Sequence, residues 1–152
     1  MGLSLACCLT VVLALAACGD ADPEIPGGAD PAEAMVIDEW ATALREGDVD
    51  SAAEFFALPS VAQNGSVPFR IRDLADARLF NASLPCGAEL TNATPEGGFV
   101  IATFTLTERP GPGDCGEGTG ETAQTAFVIE DGEIVEWRRV VPADEPAPGS
   151  SV

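Results

Sequence analysis

Apolar residues in the stretch Asp30 to Leu58 recur at helical spacing, break at Glu46-Gly47-Asp48, and resume in a shorter run. Val36, Trp40, Ala43 and Leu44 fall on one side of a 3.6-residue period and predict the buried face of a first helix. Its start is marked by Asp30 as N-cap, Pro31 at the first helical position and Glu33 one turn in. Gly47 predicts the stop, and Asp48 caps a second helix whose inward side is Val49, Ala52, Ala53 and Phe56, with Pro59 ending it. Ser60 to Asn64 reads as a short strand, Gly65-Ser66 as a turn, and Val67-Pro68-Phe69 as extended chain. A third helix is expected from about Ile71 to Asn81, buried through Ile71, Leu74, Ala75 and Leu79.

The period then changes to two. Pro85 to Thr94, Gly98 to Glu108, Thr122 to Glu130 and Glu133 to Val141 predict four strands, with turns at Asn92 to Gly97 and at Asp131-Gly132, the latter a tight-hairpin signal. Phe99 and Ile101 fall on one face, and Val100, Phe104 and Leu106 on the other. A sheet apolar on both faces needs cover on both. One face is expected to take the helices and the other to line a cavity or meet a second subunit.

Composition narrows the chemistry. Of 152 residues, 25 are acidic and 7 are arginine; lysine, histidine and tyrosine are absent, and the net charge is −18. Such a surface repels phosphate backbones, so no nucleic-acid partner is expected. Without histidine the commonest general base and zinc ligand are missing, so no metal or other cofactor is expected. Leu3 to Ala17 is an apolar run too short to span a bilayer comfortably and placed like the core of a secretory signal, although no lysine or arginine precedes it. Leu15-Ala16-Ala17-Cys18, followed by Gly19 and Asp20, resembles the lipobox of bacterial lipoproteins, which implies an acylated Cys18 and durable membrane anchoring. Gly19 to Ala29 is rich in proline, glycine and acids and reads as a disordered tether. The expected organisation is therefore signal peptide 1–17, acylated cysteine and tether 18–29, folded domain 30–141 and disordered tail 142–152. The expected location is the bacterial cell envelope, on the outer side of the cytoplasmic membrane, with plain secretion as the alternative.

The order α-α-β-α-β-β-β-β, carried by WATALREGDVDSAAEFFA, SVAQNG and AFVIEDGEIVEWRRV, resembles the nuclear transport factor 2-like superfamily, which includes ketosteroid isomerases and polyketide cyclases. The resemblance covers nearly all of Asp30 to Val141. It implies an α+β cone, with three N-terminal helices on a curved antiparallel sheet, a pocket inside, and commonly a dimer through the sheet. It also implies where isomerase groups would stand. The first-helix tyrosine falls on Trp40, the general-base aspartate on about Asn64, and the protonated aspartate near Gln124 or Thr125. None of these four side chains titrates as that chemistry needs, so no catalytic residue is assigned. The reading is a non-catalytic domain that binds a small apolar ligand or a partner protein. An isomerase, cyclase or dehydratase using another acid is the alternative.

Pocket candidates are Trp40, Phe56, Asn64, Phe104, Gln124 and Trp137. Trp40 could instead be core with a satisfied indole N–H, and Asn64 a plain turn residue. Cys86 opens the first long strand and Cys115 lies in the loop between the next two, so strand pairing predicts a disulfide in an oxidising envelope. Closing 29 residues would stabilise by roughly 3–4 kcal/mol. Arg70, Arg72, Arg78, Arg138 and Arg139 could converge on an anion, or pair with surface acids. The Asn-x-Ser/Thr triplets at Asn64, Asn81 and Asn92 carry no weight in a bacterial envelope.

Overall fold

The computed structural model describes residues 24–65 and 67–141. Cys18, the apolar leader and the tail from residue 142 lie outside the described residues. Helix α1 is Pro31–Glu46, α2 Val49–Glu54 and α3 Leu74–Ser83; the strands are β1 Phe56–Gln63, β2 Phe69–Ile71, β3 Gly87–Glu96, β4 Phe99–Thr107, β5 Thr122–Glu130 and β6 Glu133–Val140. They form one six-stranded sheet in the order β2-β1-β6-β5-β4-β3. Every pairing is antiparallel except β1 with β6. Both the parallel pair and β2 go beyond the expected five-stranded antiparallel sheet.

The local signals at the first corner act as read. Asp30 accepts from the Ala32 N–H at 2.9 Å, and Gly47 ends α1 at φ 78°. Gly47 is also crowded: a methyl group there would lie 2.9 Å from the Pro110 carbonyl oxygen. Asp48 accepts from the Ser51 N–H at 3.0 Å and its hydroxyl at 2.8 Å, capping α2. The buried side of α1 is broader than expected, adding Ala34, Ile37 and Ala41, while Val36 is only half-buried.

Three expectations need correction. Helix α2 stops at Glu54, before Phe56, because six residues already bury Ala52 and Ala53, and Phe56 reaches the core from strand β1 instead. Pro59 therefore lies within a strand, in the register irregularity between Phe56 and Val61, where no ladder N–H is required of it. Helix α3 buries Ala77, Phe80 and Asn81, leaving Leu74 and Leu79 exposed. Apolar residues lie on two sides of this helix, and the larger ring of Phe80 fills the gap between Phe56 and Trp137, at centroid distances of 5.7 and 5.0 Å. The β3–β4 turn is only Gly97-Gly98, both at positive φ, and pairing continues to Glu96 opposite Phe99. Pro95 is tolerated because β3 is an edge strand.

Register shifts in β1–β6, β3–β4 and β5–β6 bend the sheet, as bulges do. Val100, Ala102, Phe104, Thr125, Phe127 and Trp137 face the concave side and are buried, whereas Phe99, Ile101 and Thr103 face outward and are half-exposed. Helices and cavity therefore share the concave face; among the described residues the convex face carries no other element. The chain before α1 is also pinned in part. Ala93 donates its N–H to the Pro26 carbonyl at 2.8 Å and accepts from the Ala29 N–H at 3.1 Å, so Pro26 to Ala29 strap the β3 edge. Ile25 and Ala29 pack on the core. Ile25 to Ala29, expected to belong to the disordered tether, are thus held against the sheet.

Candidate functional site

Between α1 and the concave face lies a cavity of about 280 Å³. Trp40 and Leu44 of α1, Leu84 and Ala88, and Phe104, Leu106 and Trp137 of the sheet give it apolar walls. Asn64, Gln124, Thr125 and Arg139 supply its polar groups. Five of the six expected pocket residues thus line one cavity. The sixth, Phe56, does not: it lies deeper, edge-on to Phe80.

The two tryptophans differ in chemistry. Trp40 is 2 % exposed, edge-on to Phe104, Phe127 and Trp137, and its indole N–H donates to Asn81 Oδ1 at 2.9 Å. Asn81 is fully buried and donates its amide to the Ala77 carbonyl at 2.9 Å, so its own position is fixed by the helix that carries it. Trp40 is therefore wall, with its hydrogen bond already made. Trp137 is 5 % exposed, and its indole Nε1 is buried with no acceptor among the described residues.

Gln124 sits at the rim, but its amide donates outward to Thr103 Oγ1 at 3.3 Å on the convex face. Thr125, one residue on, is the buried inward position. Asn64 is exposed beside the turn. None of the described residues lining the cavity carries a carboxyl group.

Cys86 and Cys115 are joined, with Cα atoms 4.6 Å apart. Cys86 with Leu84 and Pro85 also borders the cavity, so the bridge ties the Pro110 to Gly118 loop to its mouth. The arginines do not converge. Arg72 pairs with Asp76, Arg78 with Asp50 and Arg138 with Glu136; Arg139 alone of the five candidates lies on the cavity.

Sequence reasoning missed Asn81 and Arg109. Arg109 is 9 % exposed and donates to the Asn81 and Ala82 carbonyls at 3.2 and 3.3 Å, a cation at the C-terminus of α3. Burial holds its pKa below the usual guanidinium value, yet arginine stays charged at neutral pH.

No protein-family model matches the chain, and no curated protein sequence matches it. Solved structures do. A candidate polyketide cyclase from Sinorhizobium meliloti superposes with TM-score 0.54 at 18% identity, covering 70% of this chain and 94% of that one. A protein described as nuclear transport factor 2-like, from Burkholderia xenovorans, gives 0.51 at 16% identity, covering 78% and 88%. The fold is the nuclear transport factor 2-like cone. A candidate ketosteroid isomerase from Kribbella flavida also superposes, with TM-score 0.51 at 18% identity over 78% of this chain and 83% of that one. At such identities the likeness of this cone to its neighbours is one of fold, and function rests on the cavity itself.

Proposed function

We propose that this domain holds a small apolar molecule in the cone and does not convert it. The observation that carries the reading is an apolar cavity whose described lining residues include no acid. General acid–base catalysis needs a titrating group within hydrogen-bond reach of the substrate, and the side chains at the isomerase positions, Trp40, Asn64 and Gln124 or Thr125, do not titrate as it requires. An isomerase, cyclase or dehydratase reading draws support from the candidate activities of the fold neighbours, and it needs a carboxylate brought in from elsewhere. Native mass spectrometry of the full chain isolated from its host tests the proposal. A reproducible mass increment released by unfolding is expected; an empty chain in every preparation would overturn it.

We propose as well, from the Leu15-Ala16-Ala17-Cys18 sequence, that the domain stands on the outer side of a bacterial cytoplasmic membrane, held by acyl chains on Cys18. Cys18→Ala is expected to shift the protein from membrane to soluble fractions. Unchanged partition would sink the anchor. The convex face, with Phe99, Ile101 and Val128 half-exposed, is proposed as the contact for a second copy or a partner protein.

A further inference from the structure

We propose that Asn64-Gly65 is a spontaneous modification site, at which the Asn64 side chain loses its amide to attack by the Gly65 backbone nitrogen and ends as a carboxylate on the cavity rim. The conversion belongs to the chain alone. Its effect on what the cavity holds rests on the reading of that cavity as a binding site.

Loss of an asparagine amide needs a side chain that can turn back on the next peptide nitrogen, and a following residue that does not obstruct the approach. The chain holds three asparagines, and they differ sharply in these respects. Asn81 is fully buried, its amide donating to the Ala77 carbonyl and its oxygen accepting from the Trp40 indole. Asn92 lies within β3 and accepts from the Thr94 hydroxyl at 2.8 Å, and the nitrogen that would attack it, that of Ala93, donates to the Pro26 carbonyl. Asn64 is exposed in the bend after β1, and its side chain makes no hydrogen bond among the described residues. Gly65 stands at φ 123° with nothing within 4 Å of where a side chain would begin, so no bulk hinders ring closure. Its carbonyl accepts from the Gln63 amide at 3.2 Å, whereas its N–H donates to no acceptor among the described residues. The attacking nitrogen is therefore not already engaged.

In the first step the Gly65 nitrogen gives up its proton and bonds to Asn64 Cγ, the bond from Cγ to the side-chain nitrogen breaks, and ammonia leaves. Water then opens the cyclic imide at either carbonyl, giving aspartate or isoaspartate. Either product carries one negative charge where the amide carried none, and no oxidant, reductant or cofactor enters. The place of the residue gives the change its consequence. Gln63 pairs with Arg138 in the parallel β1–β6 register, so the next residues, Asn64 and Arg139, are neighbours, and both border the cavity. Arg139 is the single charged residue among the described lining. A carboxylate at position 64 offsets that charge, so a rim that favours anions becomes one that does not.

The full chain is incubated in mildly alkaline buffer until a sample unfolded in urea has converted at Asn64, then digested, and the peptide around each asparagine is weighed. In the folded chain Asn64 is expected to show the one-dalton gain of OH in place of NH2, while Asn81 and Asn92 keep their amides. An Asn64 amide that survives, or that converts no faster than the other two, would overturn the site. Asn64→Asp and the parent are then titrated with 1-naphthoate and with 1-naphthylmethylammonium. Asn64→Asp is expected to bind the naphthoate about fivefold more weakly than the parent, and the ammonium about fivefold more tightly, the size of one charge a few ångströms away in water. Equal preference in the two proteins would overturn the effect on the cavity and leave the binding reading intact. If neither probe enters either protein, the binding reading falls together with that effect, and conversion of Asn64 in the mass measurement still supports the site.

Discussion

Trp40 of α1 and Trp137 of β6 line the same cavity, and what distinguishes them is a single amide, that of Asn81 on α3. Removing that amide tests how much the buried network holds. Asn81→Ala leaves the Trp40 N–H without its acceptor and opens a small void, and is expected to destabilise the domain by about 2–3 kcal/mol in urea unfolding. At the surface the same logic runs through Asp48. Hydrogen bonds from the Ser51 backbone, then from its side chain, lower the Asp48 pKa below 3.8. A depressed carboxylate contributes stability above its unfolded pKa and loses it as pH falls through the folded value. Asp48→Ala should thus be less stable than the parent at pH 7, with the gap closing under acid below about pH 4. A gap unchanged at pH 2.5 would mean that the carboxylate charge is not what caps α2.

The strap and the disulfide belong to the scale of elements. A methyl group on Gly27 would lie 2.2 Å from the Ala93 carbonyl oxygen, and Gly27 has φ 117°, so a side chain is opposed by both contact and backbone. Gly27→Val should release the strap. Hydrogen exchange at the Ala93 amide is then expected to accelerate by tenfold or more while the β5–β6 hairpin keeps its protection; unchanged exchange would show that the edge is held otherwise. The released strand would be an open edge, the kind that recruits other chains. At the opposite end of β3, the Cys86–Cys115 bridge closes a 29-residue loop. Cys86→Ser should lower the melting temperature by roughly 10 °C in oxidising buffer, from about 3–4 kcal/mol of loop-closure entropy. Because the bridge borders the cavity, the same variant should also bind its occupant more weakly. Identical melting of variant and parent would sink the stabilising role.

For the whole molecule, the cone puts the strap and the cavity mouth at different ends of β3: Pro26 to Ala29 meet Ala93, whereas Cys86 and Ala88 border the cavity. A chain anchored through its N-terminus would thus approach the membrane from the strap end, leaving the mouth toward the aqueous side. The contact proposed for the convex face can be tested directly. Ile101 and Ala126 face each other across β4 and β5 on that side, with Phe99 under the Arg138 guanidinium at 5.6 Å. Ile101→Glu should leave the fold intact and shift any dimer to monomer in sedimentation velocity. A dimer that survives this change would place the contact elsewhere.

What the sequence determined by itself was whatever nearest-neighbour chemistry controls. The caps at Asp30 and Asp48, the stop at Gly47, the Asp131-Gly132 hairpin and the alternation of β4 depend on residues a few positions apart, and each forms as read. The order of those elements was enough to point to the cone. Tertiary structure decided where two local solutions were close in energy. Helix α3 has apolar residues on two sides, and only the gap between Phe56 and Trp137 selected Phe80 over Leu79. Phe56 continues a helical pattern, yet the core and the pairing with β6 drew it into a strand. The pairing of Trp40 with Asn81, and the isolation of Trp137, join residues 41 positions apart or leave one unjoined. No periodicity encodes such relations, because hydrogen-bond satisfaction in a core is a property of the packed whole.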